Sequence, residues 1–240
     1  MSKRILDIIV SALGLLIFSP LLIAVMFLIW VYDRHSPFYI APRVSRGGGT
    51  FKMVKFRSMV VNADKVGGSS TAATDRRITP VGKFVRSYKL DELIQLWNVL
   101  TGDMSLVGPR PQVLSDAALY TVEEKRMLTV RPGITDPASI VFSDEGEILK
   151  NSPDPDLLYN QIIRPWKSRL ALAYIDHQTF AVDLRLIILT MLVVVSKENA
   201  LKALGSLLVS WQLEPIVVRM AARQGPLRAY PPPGAEAIIE

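Results

Sequence analysis

Hydrophobic and polar positions along this chain change period several times, and the first long stretch has no polar face at all. Residues 8–32 carry no charge. As a helix they would reach about 37 Å, more than the roughly 30 Å of hydrocarbon in a bilayer. A simple spanning helix is one reading. A signal peptide is another, but the run is long and lacks a small-residue cleavage site, which favours retention. Ser19-Pro20 falls near the middle of the run. Proline removes a backbone donor and its ring clashes with the preceding turn, at a cost of about 3 kcal/mol in a regular helix. The Ser19 hydroxyl is placed to satisfy a carbonyl that the proline frees. Both flanks are basic, with Lys3 and Arg4 before and Arg34, Arg43 and Arg46 after. The positive-inside preference therefore pulls both ends to one face, which a helix broken at Ser19-Pro20 satisfies by entering and leaving the same leaflet.

Beyond residue 35 the period shortens. Residues 36–57 read as a β-hairpin turned by Gly47-Gly48-Gly49, with Lys55 and Arg57 on one face of its second strand. A solvated strand edge is the plain reading of those two cations. The glycine triplet lacks the helix and lysine-threonine pattern of a phosphate-binding loop, so it reads as a turn. Residues 60–79 are polar and rich in glycine and serine, which predicts a mobile surface loop, with a lid over substrate as the less plain alternative. Residues 112–119 and 122–128 are short helical candidates, and residues 131–135 read as a turn. Residues 157–177 form a longer helix with a break at Pro165, and residues 180–195 form a strongly apolar one, core-facing with some membrane contact. Leu201, Leu204, Leu207, Leu208 and Trp211 give one more amphipathic stripe, to lie on a membrane or against a second subunit. A proline-rich extended tail follows from residue 224.

The chemistry concentrates in residues 89–111. Leu90, Leu93, Ile94, Trp97 and Leu100 recur at helical spacing and make one apolar face, with Asp91, Gln95 and Asn98 on another. The helix starts between residues 87 and 90 and stops at Gly102. Asp91 and Glu92 then lie in its first turn, where carboxylates complement the helix dipole without any further role. Their neighbours suggest more. Arg86 precedes them, and Arg110 sits between two prolines that restrict its backbone. A guanidinium fork matches phosphate geometry.

Composition narrows the choice. The 240 residues suffice for one domain with a core, and half of them are hydrophobic. With no cysteine there is no disulfide framework and no thiolate chemistry, and the two histidines, His35 and His177, form no ligand pattern. Between Arg43 and Arg110 there are 12 Lys and Arg against 5 Asp and Glu, a balance of +7 in a chain of net charge +6. That excess fits lipid headgroups or a phosphorylated substrate. Nothing resembles a nucleic-acid motif, so nucleic acid is set aside as a partner.

Three segments carry a family resemblance: residues 74–111 (TDRRITPVGKFVRSYKLDELIQLWNVLTGDMSLVGPRP), KFRSM at 55–59 and RPGIT at 131–135. Together they resemble the bacterial sugar transferases, the monotopic phosphoglycosyl transferases, in order and over roughly residues 3–198. The resemblance implies an α+β, mostly α fold, divided into a re-entrant membrane helix (residues 1–34), a cytoplasmic catalytic domain (35–198) and a C-terminal extension (199–240). It implies transfer of a sugar phosphate from a UDP-sugar to polyprenyl (undecaprenyl) phosphate at the cytoplasmic membrane face, with release of UMP. Asp91 matches the family's nucleophile, giving a covalent aspartyl phosphosugar, and Glu92 its Mg²⁺ ligand. Lys55, Arg57, Arg86 and Arg110 match phosphate-binding positions. The sequence departs from the common pattern at Asp136-Pro137-Ala138-Ser139, and at Ile94, where the family usually has proline; isoleucine there is expected to continue the helix.

Two other readings stay open on residues alone. A conventional membrane-associated glycosyltransferase would use Asp91 and Glu92 to hold a metal–nucleotide sugar and would release UDP. A non-catalytic scaffold would use the acid pair as a helix cap and the basic surface to bind lipid, and homodimerisation is compatible with any of the three.

Overall fold

The computed structural model describes residues 2–68 and 70–239. It is mostly helical, with two small sheets and one long apolar N-terminal helix, α1 (Ser2–Asp33). Among the described residues, α1 is the one helix long and apolar enough to cross a membrane. The division into two helices expected at Ser19-Pro20 is not seen, because helical backbone continues through Pro20. The local chemistry explains this. Pro20 deprives the Leu16 carbonyl of its donor, and the Ser19 hydroxyl donates to that oxygen at 2.7 Å.

Both ends of α1 are fastened to the same domain. Near its start, Lys3 reaches Asp183 at 2.7 Å, and Arg4 donates to the carbonyls of Val99 and Leu100. Asp7 is buried, accepting from the Leu106 backbone N–H at 2.9 Å. At the far end Leu22, Val25 and Ile29 pack with Phe56, Val85 and Leu90, and Asp33 pairs with Arg57 at 2.9 Å. Much of the remaining apolar surface of α1, including Leu16, Ile17 and Phe27, is exposed.

The expected hairpin forms from β1 (Phe38–Val44) and β2 (Thr50–Phe56), antiparallel with Ala41 opposite Met53. Gly47 and Gly48 make its turn at φ of 80° and 82°, a conformation that glycine adopts without penalty. The polar loop that follows is tied down at several points. Met59 bridges to Ile78, Arg77 donates to the Ala63 carbonyl, the Ala73 N–H donates to the Gly146 carbonyl, and the Ser70 N–H donates to Asp156. Residue 69 of this predicted loop lies outside the described residues.

Helix α2 (Pro80–Ser87) is capped by Thr79, whose hydroxyl accepts from the Gly82 N–H at 2.9 Å, with Pro80 in its first turn. The single helix expected next is two pieces, α3 (Leu90–Leu93) and α4 (Leu96–Thr101), the second ending at Gly102 as anticipated. The step at Ile94-Gln95 persists without proline because the N–H groups of Gln95 and Trp97 bond three residues back rather than four. The buried face also differs from the predicted one. Gln95, Leu96, Asn98 and Val99 face inward, whereas Trp97 is 52% exposed. Asn98 explains the inversion: its amide accepts from the Val54 N–H and donates to the Lys52 carbonyl, so it serves backbone groups of β2 that no further strand pairs.

The segment expected as a turn at residues 131–135 contributes a strand instead. Strand β3 (Ser105–Val107) runs parallel to β4 (Gly133–Thr135), with Ser105 opposite Gly133. Two glycines allow this approach: a Cβ on Gly133 would stand 2.1 Å from the Gly108 nitrogen, and one on Gly108 would stand 2.4 Å from the Arg131 carbonyl oxygen. Around this pair lie α5 (Leu114–Ala118), a 3₁₀ turn (Glu124–Thr129), α6 (Pro137–Val141), α7 (Glu145–Ile148) and α8 (Pro155–Leu158). A π-helical stretch (Tyr159–Ile163) then leads into α9 (Arg164–His177), which absorbs the break expected at Pro165.

Helix α10 (Phe180–Val195) matches its predicted bounds and buries Leu186 and Leu189, leaving Ile188, Met191 and Val195 exposed. Helices α11 (Lys197–Ser210) and α12 (Pro215–Ala221) turn back onto the domain, and Leu204 and Leu208 are buried in its main core. The stripe expected to meet a membrane or a second subunit is thus occupied by the chain itself. The tail is fastened too: Tyr230 packs on Trp166 with ring centroids 4.5 Å apart, and Thr121 donates to the Pro233 carbonyl.

Candidate active site

Four elements bring one cluster of charge together. Asp91 and Glu92 occupy the first turn of α3, whose preceding residue, Lys89, takes a left-handed conformation at φ 56°. Lys89 then donates to the Ser143 carbonyl at 3.1 Å, which ties the start of α3 to the segment before α7. Strand β2 delivers Lys55, the end of α2 delivers Arg86, and the loop after β3 delivers Arg110. Arg110 donates to Glu92 Oε1, and Lys55 Nζ lies 4.0 Å from the same oxygen. Arg86 is oriented by Ser58, to whose hydroxyl its Nε donates at 2.8 Å. Asp91 is 8% exposed, and its Oδ1 is buried without a hydrogen-bond partner.

Burial and proximity push the two carboxylates apart in acidity. Burial raises the Asp91 pKa, and the negative charge of Glu92 raises it further, against the opposing pull of Lys55, Arg86 and Arg110. Burial acts the same way on Glu92, but Arg110 and Lys55 together outweigh it and hold the group at about 2. Burial, reinforced by Arg110, brings Lys55 down to about 8, although Glu92 resists. Arg110 is held more basic than usual, chiefly by Glu92. One carboxylate is therefore firmly ionised and charge-paired. Its neighbour is poorly solvated, partnerless at one oxygen, and surrounded by cations able to receive a phosphate.

The sequence-predicted residues divide accordingly. Asp91, Glu92, Lys55, Arg86 and Arg110 share one electrostatic neighbourhood. Arg57 makes its ion pair with Asp33 instead, at the end of α1, and its buried Nε has no partner. Ser19 and Pro20 lie within α1, as described above. At the departure from the family pattern, Asp136 is a buried N-cap that accepts from the Ser139 N–H at 2.7 Å, with Pro137 opening α6. Sequence reasoning overlooked Ser58, although it stood inside the quoted KFRSM segment. It also overlooked Glu145 and Lys167, which form an ion pair in the same electrostatic neighbourhood as Arg110. No spacing along the chain announced those two, which lie more than thirty residues beyond Arg110.

The model of the family described as "Bacterial sugar transferase" matches residues 1–197. The exopolysaccharide production protein ExoY of Sinorhizobium fredii is 40% identical over 149 residues, which is 56% of this chain and 66% of that protein. A Klebsiella pneumoniae UDP-glucose:undecaprenyl-phosphate glucose-1-phosphate transferase is 40% identical over 182 residues, 72% of this chain and 38% of its own. A UDP-N-acetylgalactosamine-undecaprenyl-phosphate N-acetylgalactosaminephosphotransferase of Aeromonas hydrophila is 37% identical over 142 residues, 58% of this chain and 34% of that one. The matched stretches span between 31% and 66% of the first relatives' own lengths. With a family match running from α1 through the charge cluster to α10, this chain belongs to the bacterial sugar transferase family.

Proposed function

We propose that this protein transfers a sugar phosphate from a UDP-sugar to a membrane polyprenyl phosphate, giving a polyprenyl-diphosphate-sugar and UMP in the assembly of a cell-surface glycan. The single observation that carries the reading is the pairing of a buried, partnerless Asp91 oxygen with the cations Lys55, Arg86 and Arg110 around it. An Asp91 oxygen attacks the phosphorus that bears the sugar, and the bond from that phosphorus to the bridging oxygen breaks, leaving its electrons on UMP. A phosphate oxygen of the lipid then attacks the same phosphorus and returns Asp91 as a carboxylate. A nucleophile with little solvation has less water to shed before attack. Arg110, Arg86 and Lys55 are positioned to hold phosphate oxygens and to offset charge as the leaving bond lengthens.

Magnesium fits the donor set as an ion shared with substrate phosphates, since one or two carboxylates suffice for that mode. Glu92 would hold it, and when bound it would neutralise charge on the departing phosphate.

The fastening of both ends of α1 to one domain supports a monotopic arrangement at the cytoplasmic face of the membrane. A helix held at Lys3 and again at Asp33 keeps its two ends beside the same globular body, with the exposed apolar middle left for lipid. The site then works where a lipid-borne phosphate lies.

The test is the nucleotide released when purified protein meets polyprenyl phosphate, Mg²⁺ and a panel of UDP-sugars. UMP that requires both the lipid and Asp91 is expected, and Asp91→Asn should abolish it while leaving membrane binding intact. Release of UDP would overturn the reading in favour of direct glycosyl transfer.

A further inference from the structure

Arg110 faces two places. On one side it meets Glu92. On the other it lines a separate narrow cleft, whose lining includes Gln112, Tyr159, Ser139, Arg164 and Lys167 and to which neither Asp91 nor Glu92 contributes. Part of its donor capacity has no acceptor. The Arg164 Nε is buried without a hydrogen-bond partner, whereas the Ser139 hydroxyl stands beside the Asp136 carboxylate. Lys167 donates to Glu145 and sits 5.2 Å from the centroid of the Tyr159 ring. An ammonium has three N–H donors, so this one pairing leaves capacity for another acceptor. Asp116 and Asp136 also line the cleft. Asp136 already accepts from the Ser139 N–H, and Asp116 from the Ser115 hydroxyl. Spare donors beside a cation call for an anionic, acceptor-rich ligand.

We infer that Lys167 is a further substrate-binding residue, which exchanges Glu145 for an oxygen of the nucleoside-side phosphate of the donor and holds that phosphate as it leaves. This rests on the phosphoglycosyl reading above. Arg110 would then lie between the two phosphates, with Asp91 at the sugar-bearing one and Lys167 at the other. Glu145 is a resident counter-ion that the ligand displaces. Its backbone is fixed from outside the site, since the neighbouring Gly146 carbonyl accepts from the Ala73 N–H at 2.8 Å. Glu145 therefore competes with the incoming phosphate for one ammonium.

That competition gives the two partners opposite effects, which a purely structural ion pair would not. The probes are UMP and uridine, with equilibrium binding measured on the full-length protein in detergent. Lys167→Met should weaken UMP about tenfold, the loss of one charge-assisted contact, and leave uridine within twofold. Lys167→Arg should stay within about threefold of wild type, and Glu145→Gln should tighten UMP. If Lys167→Met does not fold, as judged by its melting transition, Glu145→Gln decides alone: tighter binding supports the assignment, and equal or weaker binding overturns it. Weakening by both substitutions, or an equal loss for uridine, also overturns it. Wild-type protein that binds no UMP and releases none from any UDP-sugar would instead remove the phosphoglycosyl reading on which the inference stands.

Discussion

Gly133→Ala tests how the site is assembled. A Cβ at this position would lie 2.1 Å from the Gly108 nitrogen and 2.6 Å from its Cα, both backbone atoms that cannot rotate aside. Reaching ordinary contact at 3.4 Å requires β3 and β4 to part by about 1.3 Å. Three backbone hydrogen bonds of 2.9 Å cross this junction: Ser105 N–H to the Pro132 carbonyl, Gly108 N–H to that of Thr135, and Gly133 N–H to that of Pro109. At about 1 kcal/mol each their loss costs roughly 3 kcal/mol. For a chain of this size that lowers the melting temperature by about 6–12 °C. Arg110 lies two residues beyond Gly108, and a shift of about 1 Å in a positioning group costs on the order of 100-fold in turnover. Thermal unfolding in detergent and UMP release read the two effects separately. Gly205→Ala is the control, because nothing lies within 4 Å of its Cβ position inside α11, and it should be neutral or stabilising by up to about 1 kcal/mol. A Gly133→Ala protein that melts with wild type and retains full activity would refute the claim that the glycine contact sets the position of Arg110.

Other predictions follow from charge and topology. Lys55 titrates at about 8, so donor affinity should decline as pH rises through that value; Lys55→Arg should retain affinity to higher pH, as a pH series of donor KM would show. Because burial penalises charged Lys55, its contribution to stability should increase over the same rise, whereas the stabilisation from Glu92, held at about 2, is present above its ordinary 4.5 and is lost as pH falls toward 2. The absence of cysteine gives a silent background for labelling: Ser2→Cys and His35→Cys, at the two ends of α1, should both react with an impermeant thiol reagent from the cytoplasmic side alone, and labelling from opposite sides would contradict a monotopic arrangement. Removing residues 223–240 takes away the Tyr230 packing on Trp166 and the Arg223 contact with Asp144, and should lower the melting temperature by several degrees; an unchanged transition would mean that the tail adds nothing to the fold.

What the sequence determined by itself is mostly local. The uncharged run of α1, the hairpin turn at Gly47-Gly48, the stop at Gly102 and the bounds of α10 each follow from residues close together in the chain. The acid pair and three of its cations, Lys55, Arg86 and Arg110, were legible through the family resemblance of the segments that carry them. Tertiary structure decided everything that depends on which face finds a partner. Periodicity put Trp97 inside and Asn98 outside, but the unpaired backbone of β2 needed the Asn98 amide, and that demand outweighed the burial of an indole. Residues 131–135 carry turn composition, yet a second glycine twenty-five positions earlier lets them pair as a strand. Arg57 went to Asp33, and Lys167 came to the cleft beside Arg110, through contacts between segments far apart in sequence. An ion pair or a cleft of that kind has no period along the chain, because it exists only once folding has brought its two sides together.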